Sequence, residues 1–436
     1  MSSDYLAEYR KKLRNPAEAI AVIRNGETLV HGIGLTEPPA LLGALADRLR
    51  AGELTGIKVY SFNPYLTAAK TYLAIDLIDC VEAYSWFVSQ ASRGQSAVGL
   101  VQFIPSYLHQ VPRLIEEHLD LDTVVTTVSS MDNAGYFSFG VCNGFISPAA
   151  RRSKRLIVES NPTMPRVFGD NMIHVSEVDM VVENHDPILE MPAAKPRPED
   201  ATIGKLIADI VPEEATLQLG IGSLPNALCP FLKDRSNLGI HTELFGPGMA
   251  DLIRCGAANG SRKTLHPWRH VFSVSYGTRD TFDLMHDNPS IECYPSSYVM
   301  DPGIIARNDR MVAVNSILEV DLTGQCNAES IDGVQYSGTG GQLDFVRGAY
   351  ASKGGMSIMA FYSTAKEGQI SRVVPRLEEG ATVTTPRMDV HYLATEYGLV
   401  DLKQKSVRER ALAIISVAHP KFRDRLLREA EAMRLL

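Results

Sequence analysis

The feature that most constrains this chain is a segment that occurs twice. Residues 28–34 read Thr-Leu-Val-His-Gly-Ile-Gly, and residues 216–222 read Thr-Leu-Gln-Leu-Gly-Ile-Gly. Each copy leads into an apolar helical pattern ending in Asp-Arg and then into a Gly-Ile pair that opens a new strand, at Gly56 in one copy and Gly239 in the other. Such order, kept over about a hundred residues, is typical of an internal repeat. The sequence therefore predicts one α/β unit that was duplicated.

The two copies differ at one position of chemical interest. The new strand of the second copy contains Glu243, in the stretch His-Thr-Glu, where the first copy has Tyr60. Glycine and proline follow at 246–247, so the carboxylate is expected at the carboxyl edge of a sheet, where open α/β folds bind ligands. A solvated glutamate at a strand end is the simpler interpretation. Glu396, in Thr-Glu-Tyr-Gly, is a rival carboxylate in a similar setting.

Short β-branched stretches alternate with helical patterns along the chain, which is typical of βαβ units and parallel sheets. Predicted strands are 28–30, 58–60, 156–159, 180–182, 216–219, 311–314 and 381–384, and predicted helices are 39–49, 111–117, 202–210, 408–418 and 421–435. The proline-rich segment 191–200 is expected to be an extended linker, since proline fixes φ and lacks a donor. We therefore expect two related open α/β domains, over residues 1–190 and 201–436.

Composition excludes several classes of protein. The chain has 436 residues, 22% of them charged, and a net charge of −8, which argues against disorder and against nucleic-acid binding. No apolar run reaches roughly 18 residues and the polar start is unlike a signal peptide, so we expect a cytoplasmic protein without membrane partners. The six cysteines lack zinc spacing and are expected to be buried thiols. Pro267 interrupts the pair His266 and His270, so we expect no metal site.

Two glycine-rich segments are candidates for anion binding. The turn 218–225, Gln-Leu-Gly-Ile-Gly-Ser-Leu-Pro, joins a strand to a helix, where backbone N–H groups can hold an anion or an oxyanion. It is not a dinucleotide fingerprint, because Pro225 replaces the third glycine. The segment 337–345 is followed by Arg347 and Lys353, whose cations could meet phosphates. Ordinary turns and surface charges are the alternative interpretation of both segments.

The chain resembles the acetyl-CoA hydrolase/transferase family, the class I CoA-transferases that include 4-hydroxybutyrate, butyrate, succinate and itaconate CoA-transferases. The resemblance extends from about Pro16 to Arg423. Its most specific motifs are Asn-Pro-Thr-Met-Pro-Arg-Val-Phe-Gly-Asp at 161–170, His-Thr-Glu at 241–243, Ser-Gly-Thr-Gly-Gly-Gln-Leu-Asp-Phe at 337–345, Thr-Glu-Tyr-Gly at 395–398 and Ala-His-Pro-Lys-Phe-Arg at 418–423. The resemblance implies two related open α/β domains with the active site at the domain interface.

The resemblance also implies roles for single residues. It makes Glu243 the catalytic glutamate, ionised at neutral pH. The residues expected to line the acyl group or bind the oxyanion are Gln218, Gly220, Gly222, Gly340 and Gly341, and those associated with CoA are Gly338, Gly340, Gly341, Arg347 and Lys353. The pseudo-symmetry of the repeat places an acyl pocket near His31, Tyr60, Phe62 and Asn63. Met300 stands where relatives often carry asparagine, which puts the rate or the acyl preference in question.

The implied reaction moves CoA from an acyl-CoA to a small carboxylic acid through a glutamyl-CoA thioester on Glu243. It needs no metal, flavin or nicotinamide, and no cofactor beyond the CoA substrate. The acyl donor and acceptor stay open among 4-hydroxybutyrate, succinate, itaconate, butyrate and acetate. An acyl-CoA hydrolase that uses the same glutamate is the first alternative, and a non-catalytic ligand-binding protein is the second. The resemblance favours a homodimer.

Overall fold

The computed structural model describes residues 3–192, 195–220 and 222–436. Residues 1 and 2 of the polar start, residues 193 and 194 of the predicted linker, and Ile221 of the glycine turn lie outside the described residues. The chain divides into two compact units. The first comprises Met1–Met191 and Val271–Val299, and the second comprises Pro192–His270 and Met300–Leu436.

The first unit is built on a seven-stranded parallel sheet. Its strands lie in the spatial order Val101–Phe103, Val81–Ser85, Ile57–Ser61, Thr28–His31, Thr123–Val128, Arg155–Ser160 and Met180–Glu183. The strand Thr123–Val128 is buried along its whole length, which explains its nearly continuous β-branched sequence. A separate two-stranded ladder joins Tyr136–Ser138 to Met172–His174.

Helices cover the sheet of the first unit. They are Ser3–Lys12, Pro16–Ile20, Pro39–Arg50, Leu66–Lys70, Arg93–Ala97, Val111–His118, Ile146–Arg152, Arg279–Met285 and Ser296–Val299. The helix Pro39–Arg50 buries Leu41, Leu45 and Leu49, whose spacing follows the helical period. Its free N–H groups at Ala40 and Leu41 donate to the carboxylate of Glu159, which is favourable at a helix N-terminus.

Six strands of the second unit pair in the spatial order Gly239–Phe245, Thr216–Leu219, Met311–Ser316, Met356–Ala360, Tyr392–Thr395 and Gly398–Asp401. All are parallel except the last, which forms a hairpin with Tyr392–Thr395. The helices are Pro198–Ala208, Ser223–Asn226, Pro247–Arg254, Pro302–Ala306, Gln342–Ala351, Val407–Ser416 and Pro420–Ala432. None of the helices in the described ranges combines the length and the apolar character that a bilayer crossing requires.

Short strands complete the second unit. They form three small ladders: Glu319–Asp321 with Cys326–Asn327 and Val373–Val374, Ser330–Ile331 with Val334–Gln335, and Thr364–Ala365 with Ile370–Ser371. The first two ladders flank the segment that leads to the glycine-rich stretch 337–345.

The division of the chain differs from the single boundary expected at 191–200. One change of unit lies there, but Val271–Val299 also belongs to the first unit. The carbonyl of Ser273 accepts hydrogen bonds from the N–H groups of Asn143 and Gly144, at 3.0 and 3.3 Å. The N–H of Cys293 donates to the carbonyl of Phe168 at 2.8 Å. These long-range backbone hydrogen bonds join Val271–Val299 to the first unit. No local sequence pattern predicts them.

The two copies of the repeated segment occupy equivalent places in their sheets. Thr28–His31 pairs in parallel with the strand that follows it, Ile57–Ser61, and with Thr123–Val128. Thr216–Leu219 pairs in the same way with Gly239–Phe245 and with Met311–Ser316. The predicted α/β class with parallel sheets is confirmed. The internal duplication is consistent with this equivalence and stays a prediction.

Most predicted elements are found within a few residues of their expected bounds, but the strand predicted at 381–384 is wrong. The N–H of Thr382 donates to Oγ of Ser330, and the N–H of Ala381 donates to the carbonyl of Glu378. These bonds use the donors that a strand ladder would need. The helix predicted at 202–210 begins earlier, at Pro198, because proline suits the first turn of a helix.

Candidate active site

Glu243 lies in the strand Gly239–Phe245 and points its carboxylate at the start of a helix. The backbone N–H of Gly341 donates a hydrogen bond to Oε2 of Glu243 at 3.0 Å. The helix Gln342–Ala351 begins directly after Gly341, so the carboxylate sits at a helix N-terminus, where backbone donors and the helix dipole favour negative charge. A Cβ atom at position 341 would lie only 2.6 Å from Oε2, so only glycine permits this approach.

The surroundings of Glu243 shift its protonation. Burial raises the pKa of Glu243 to about 7, against the hydrogen bond from Gly341, and the negative charge of Asp344 adds to the rise. At neutral pH the carboxylate and the carboxylic acid are therefore present in comparable amounts. An ionised group was expected from the sequence, and the raised pKa means that only part of the population is ionised at neutral pH, because burial penalises the charged form.

Met300 lies beside the same group. It is fully buried, and its Sδ atom would be 3.0 Å from a Cβ atom at position 341. The next residue, Asp301, caps the helix Pro302–Ala306 by accepting hydrogen bonds from the N–H groups of Gly303 and Ile304. The structure thus brings together Glu243, Gly341 and Met300, and an effect of Met300 on the rate or on the acyl preference stays a prediction.

Two buried amides form a reciprocal pair at the same edge of the sheet. Nε2 of Gln218 donates to Oδ1 of Asn315, and Nδ2 of Asn315 donates to Oε1 of Gln218, both at 3.1 Å. Gly220 closes the strand against Asn315, whose Oδ1 would be 3.1 Å from a Cβ atom there. Side-chain alternation along the paired strands puts both amides on the face of Glu243. Each amide nitrogen has a second hydrogen, which a substrate oxygen can accept.

Asn315 is a residue that sequence reasoning missed. Its signal is a polar side chain at the end of the otherwise apolar strand Met311–Ser316. It is only 5% exposed, so its amide needs a partner, and Gln218 supplies one.

A second missed residue, Glu329, holds the glycine-rich segment. It is 4% exposed, and its Oε1 accepts hydrogen bonds from the hydroxyls of Thr339 and Thr384, at 3.3 and 2.9 Å. Its Oε2 accepts a bond from Nε2 of Gln335 at 3.1 Å, and its backbone carbonyl accepts from the N–H of Ser337. Glu329 therefore fixes the stretch that ends at the Gly341 donor.

Two other glycines of these segments adopt backbone conformations that other residues rarely adopt. Gly222 and Gly340 have φ values of 124° and 58°, in the region that favours glycine. Gly222 precedes the helix Ser223–Asn226, and Asn226 donates from Nδ2 to its carbonyl at 2.8 Å. Gly338 lies three residues before Gly341 in the held segment. Roles for Gly222, Gly338 and Gly340 in acyl or CoA binding stay predictions.

The structure does not bring Arg347 and Lys353 to Glu243. Arg347 lies along the helix Gln342–Ala351 and forms an ion pair with Asp389, with Nη2 and Oδ2 3.0 Å apart. Lys353 follows the far end of this 10-residue helix, which is about 15 Å long at 1.5 Å per residue. An association of these two cations with CoA stays a prediction.

The candidates of the first unit have local partners of their own. His31 is buried, with Nε2 2.8 Å from the hydroxyl of Tyr72 and Nδ1 2.7 Å from the carbonyl of Gly32. Burial lowers the pKa of His31 to about 4, so the ring is neutral at physiological pH. Tyr60 stacks on Tyr84 with ring centroids 4.6 Å apart. Their role in an acyl pocket stays a prediction.

Both oxygens of the rival carboxylate, Glu396, accept hydrogen bonds from one neighbouring residue. It lies in the turn between the strands Tyr392–Thr395 and Gly398–Asp401. Its Oε2 accepts the N–H of Ser363 at 3.0 Å, and its Oε1 accepts the hydroxyl of the same residue. Both oxygens therefore tie the end of one strand to the neighbouring turn, which is a structural use of the carboxylate.

The cysteines and other metal-type ligands give no metal cluster in the part of the chain that the structure describes. There, no three His, Cys, Asp or Glu side chains come together in a way that could hold an ion. All six cysteines are free thiols. Four are buried, but Cys80 is partly exposed and Cys255 is exposed, so the expectation of buried thiols is wrong for these two.

Comparison with known proteins covers almost the whole chain. Residues 1–191 match the acetyl-CoA hydrolase/transferase N-terminal domain, and residues 277–430 match the C-terminal domain of the same name. The chain is 41% identical over 429 residues to a succinyl-CoA:cyclohexane-1-carboxylate CoA transferase of Geobacter metallireducens, covering 98% of this chain and 97% of that protein. It is 40% identical over 422 residues to a 4-hydroxybutyrate coenzyme A transferase of Clostridium kluyveri, with 97% of each chain covered.

A solved structure agrees with these relatives. The crystal structure of RipA from Yersinia pestis has a TM-score of 0.97 and 48% sequence identity, and the comparison covers 99% of this chain and 100% of that chain. The two family domains, the full-length relatives and the shared fold lead to one conclusion. This chain belongs to the acetyl-CoA hydrolase/transferase family.

Proposed function

We propose that this protein is a CoA-transferase that moves CoA from an acyl-CoA to a small carboxylic acid, with Glu243 as the temporary carrier. The supporting observation is the hydrogen bond from the N–H of Gly341 to Oε2 of Glu243, at 3.0 Å. A nucleophilic carboxylate needs a donor for the oxyanion that forms on its own carbon, and this donor is already in place. Near-complete alignment with relatives named as CoA transferases supports the same reaction.

The first half of the reaction loads CoA onto the enzyme. The ionised Glu243 attacks the thioester carbonyl, a C–O bond forms, the C–S bond breaks, and a mixed anhydride and CoA thiolate result. The thiolate then attacks the Glu243 carbonyl of the anhydride. This step forms the glutamyl-CoA thioester and releases the donor as a carboxylate. The energy of the thioester is kept, because no water has entered.

The second half runs the same steps in reverse with a new acid. The acceptor carboxylate attacks the glutamyl thioester and gives a second anhydride and CoA thiolate. The thiolate attacks the acyl carbonyl, which releases the new acyl-CoA and regenerates the Glu243 carboxylate. In each attack on the Glu243 carbon, the negative charge develops on an oxygen that Gly341 can stabilise. One such donor is worth about 10²- to 10³-fold in kcat in comparable sites.

The amide pair and Met300 bear on the acyl group. Gln218 and Asn315 each retain an N–H that a carbonyl oxygen of the substrate can accept, on the face that carries Glu243. Met300 adds an apolar wall beside Gly341. We propose a small acid of the 4-hydroxybutyrate, succinate, itaconate, butyrate or acetate type. A panel of these acids, tested with acetyl-CoA and succinyl-CoA as donors, identifies the pair that this enzyme uses.

We further propose that the enzyme needs no cofactor beyond CoA and works as a cytoplasmic homodimer. The reaction exchanges acyl groups between sulfur and oxygen, so its balance requires no electron carrier. The family resemblance favours the dimer. A light-scattering mass near the 47.8 kDa of one chain would contradict the dimer.

Trapping the intermediate tests the nucleophile. Incubation with acyl-CoA and borohydride should reduce the glutamyl thioester to an alcohol in the peptide that contains Glu243. Glu243→Gln should lose the modification and all measurable transfer while keeping its thermal unfolding temperature. Glu396→Gln is the matched control and should keep both the modification and the transfer activity. A modified peptide containing Glu396 would refute the assignment, and thiol release without added carboxylate would identify a hydrolase.

A further inference from the structure

Two guanidinium groups lie near one tyrosine ring in the second unit. Cζ of Arg197 lies 4.6 Å from the ring centroid of Tyr362, and Cζ of Arg372 lies 6.0 Å from it. The hydroxyl of Tyr362 donates to Oδ1 of Asp200 and lies 3.2 Å from Oγ of Ser223, the residue after the glycine turn. We refer to Arg197, Arg372 and Tyr362 as the arginine pair site. It places two positive charges next to that turn.

The arginine pair site lacks a counter-ion among the described residues. No described carboxylate forms an ion pair with either guanidinium. The carboxylate of Asp200 accepts the Tyr362 hydroxyl and the backbone N–H of Arg197, the latter at 2.8 Å. Glu396, whose charge also acts on Arg372, is bound by Ser363.

The two cations also repel each other. Burial lowers the pKa of Arg372, and the positive charge of Arg197 lowers it further. A partly buried cation beside a like charge is costly unless an anion is present. Arg197 is exposed and Arg372 is partly exposed, so an anion from solution can reach both. Planar guanidinium groups are suited to bidentate contact with phosphate oxygens.

The arginine pair site lies at the same edge of the sheet as Glu243. Tyr362 follows the strand Met356–Ala360, which is separated from Gly239–Phe245 by the strands Thr216–Leu219 and Met311–Ser316. Neighbouring strands are about 4.8 Å apart, so three steps across the sheet span about 14 Å. Carboxyl edges of parallel strands are where open α/β folds bind ligands.

This separation matches the dimensions of CoA. Its thiol and its phosphates lie at opposite ends of the pantetheine arm, whose extended length equals that of four to five residues of backbone, about 15 Å. A thiol that attacks Glu243 would therefore bring the phosphates within reach of Arg197 and Arg372. Arg347 differs from these two arginines because its guanidinium already forms an ion pair with Asp389.

We infer that Arg197 and Arg372, which both lie beside the ring of Tyr362, bind the phosphate groups of the CoA substrate. This inference rests on the proposed transferase function and adds a second anchor to it. Glu243 receives the reactive end of CoA, and the arginine pair site receives the charged end.

The test measures CoA binding by calorimetry in single variants. Arg197→Met and Arg372→Met remove a charge and keep the apolar stem, and each should weaken CoA binding by about 10- to 100-fold. Arg372→Lys should recover part of the loss, because a single ammonium replaces the guanidinium fork. Arg428→Met, an exposed position of the helix Pro420–Ala432, is the matched control and should stay within about twofold of the unchanged enzyme.

A second ligand identifies which phosphates are bound. If 3′-dephospho-CoA loses as much affinity as CoA in the methionine variants, the arginines contact the diphosphate. If the substitutions no longer matter for 3′-dephospho-CoA, they contact the 3′-phosphate. Either result supports the inference. Unchanged CoA affinity in both folded methionine variants would overturn it.

A third measurement separates this inference from the transferase proposal. An acyl-pantetheine donor has no phosphates, so its kcat/KM should be the same in the unchanged enzyme and in both methionine variants. A parallel loss with acyl-pantetheine would show that the arginines act through the fold, and would also overturn the inference. If the unchanged enzyme binds CoA through the arginines but transfers no acyl group, the transferase proposal fails and the phosphate site stands. Arg197→Met changes an exposed side chain, so its thermal unfolding should be unaltered.

Discussion

The backbone N–H of Gly341 and Oε2 of Glu243 lie 3.0 Å apart, and this contact joins the start of a helix to a strand of the sheet. Burial of Glu243 favours its protonated form, whereas the hydrogen bond favours its ionised form, and the balance raises its pKa to about 7. The same N–H faces the oxygen that becomes negative when thiolate attacks the Glu243 carbon. One donor thus serves the resting carboxylate and the intermediate.

The rate should depend on pH through Glu243. Because only the ionised carboxylate attacks, kcat/KM for the acyl-CoA should rise with pH, reach half its maximum near the pKa of about 7, and level off above it. Asp344→Asn removes a negative charge that raises this pKa, so its profile should move to lower pH. The measurement is kcat/KM between about pH 5.5 and 9, where a constant value would contradict the assigned ionisation.

Substitution of Gly341 should damage catalysis more than folding. In Gly341→Ala, the new Cβ would lie 2.6 Å from Oε2 of Glu243 and 3.0 Å from Sδ of Met300, so the carboxylate must move away from its donor. We expect kcat to fall by about 10²- to 10³-fold. Gly43→Ala is the control: it lies inside the helix Pro39–Arg50 with nothing within 4 Å, and should stabilise the protein by about 0.5–1 kcal/mol with unchanged kcat. Similar kinetics in both variants would contradict the role of Gly341.

Glu329 is expected to act as a positioning residue. Glu329→Ala removes the acceptor of the Thr339 and Thr384 hydroxyls, so the segment that carries the Gly341 N–H should lose its fixed geometry. We predict about a tenfold or greater loss of kcat with a smaller change in KM. Glu329→Gln keeps one acceptor oxygen and should recover part of the rate. Glu431→Ala, on the exposed side of the last helix, should have no effect. If Glu329→Ala lost thermal stability along with kcat, and Glu329→Gln recovered neither, the role of Glu329 would be purely structural.

The pair Gln218 and Asn315 should behave as a coupled unit. Gln218→Leu or Asn315→Leu alone leaves one buried amide without its partner, which costs about 1–3 kcal/mol of stability. The double substitution removes both amides, so its cost should be less than the sum of the two single costs. Urea unfolding measures the three differences, and kcat of the double variant tests the acyl contact. Additive costs would mean that the two amides do not depend on each other.

Sequence reasoning predicted the parts of the site that carry local signals. The run of glycines is a local signal, whereas Glu243 at a strand end has a simpler interpretation as a solvated carboxylate and was identified as the candidate nucleophile through the family resemblance. Asn315 had a weaker signal, one polar residue in an apolar strand. Glu329 had none, because its contacts with Thr339 and Thr384 arise from irregular loops that fold onto each other. The strand expected at 381–384 failed for the same reason, since its donors are taken by distant partners.

The sequence by itself determined the α/β class and the parallel strands, and the resemblance of its motifs to a known family pointed to Glu243 as the candidate nucleophile. Periodicity, β-branched residues and turn glycines act over a few neighbours, and they are readable in the order of residues. Only the tertiary structure decided that Gly341 meets Glu243 across 98 residues, that Arg347 is paired with Asp389, and that Arg197 and Arg372 meet at Tyr362. The tertiary structure also decided the protonation of Glu243, because burial and neighbouring charge are properties of the folded chain and not of any local segment.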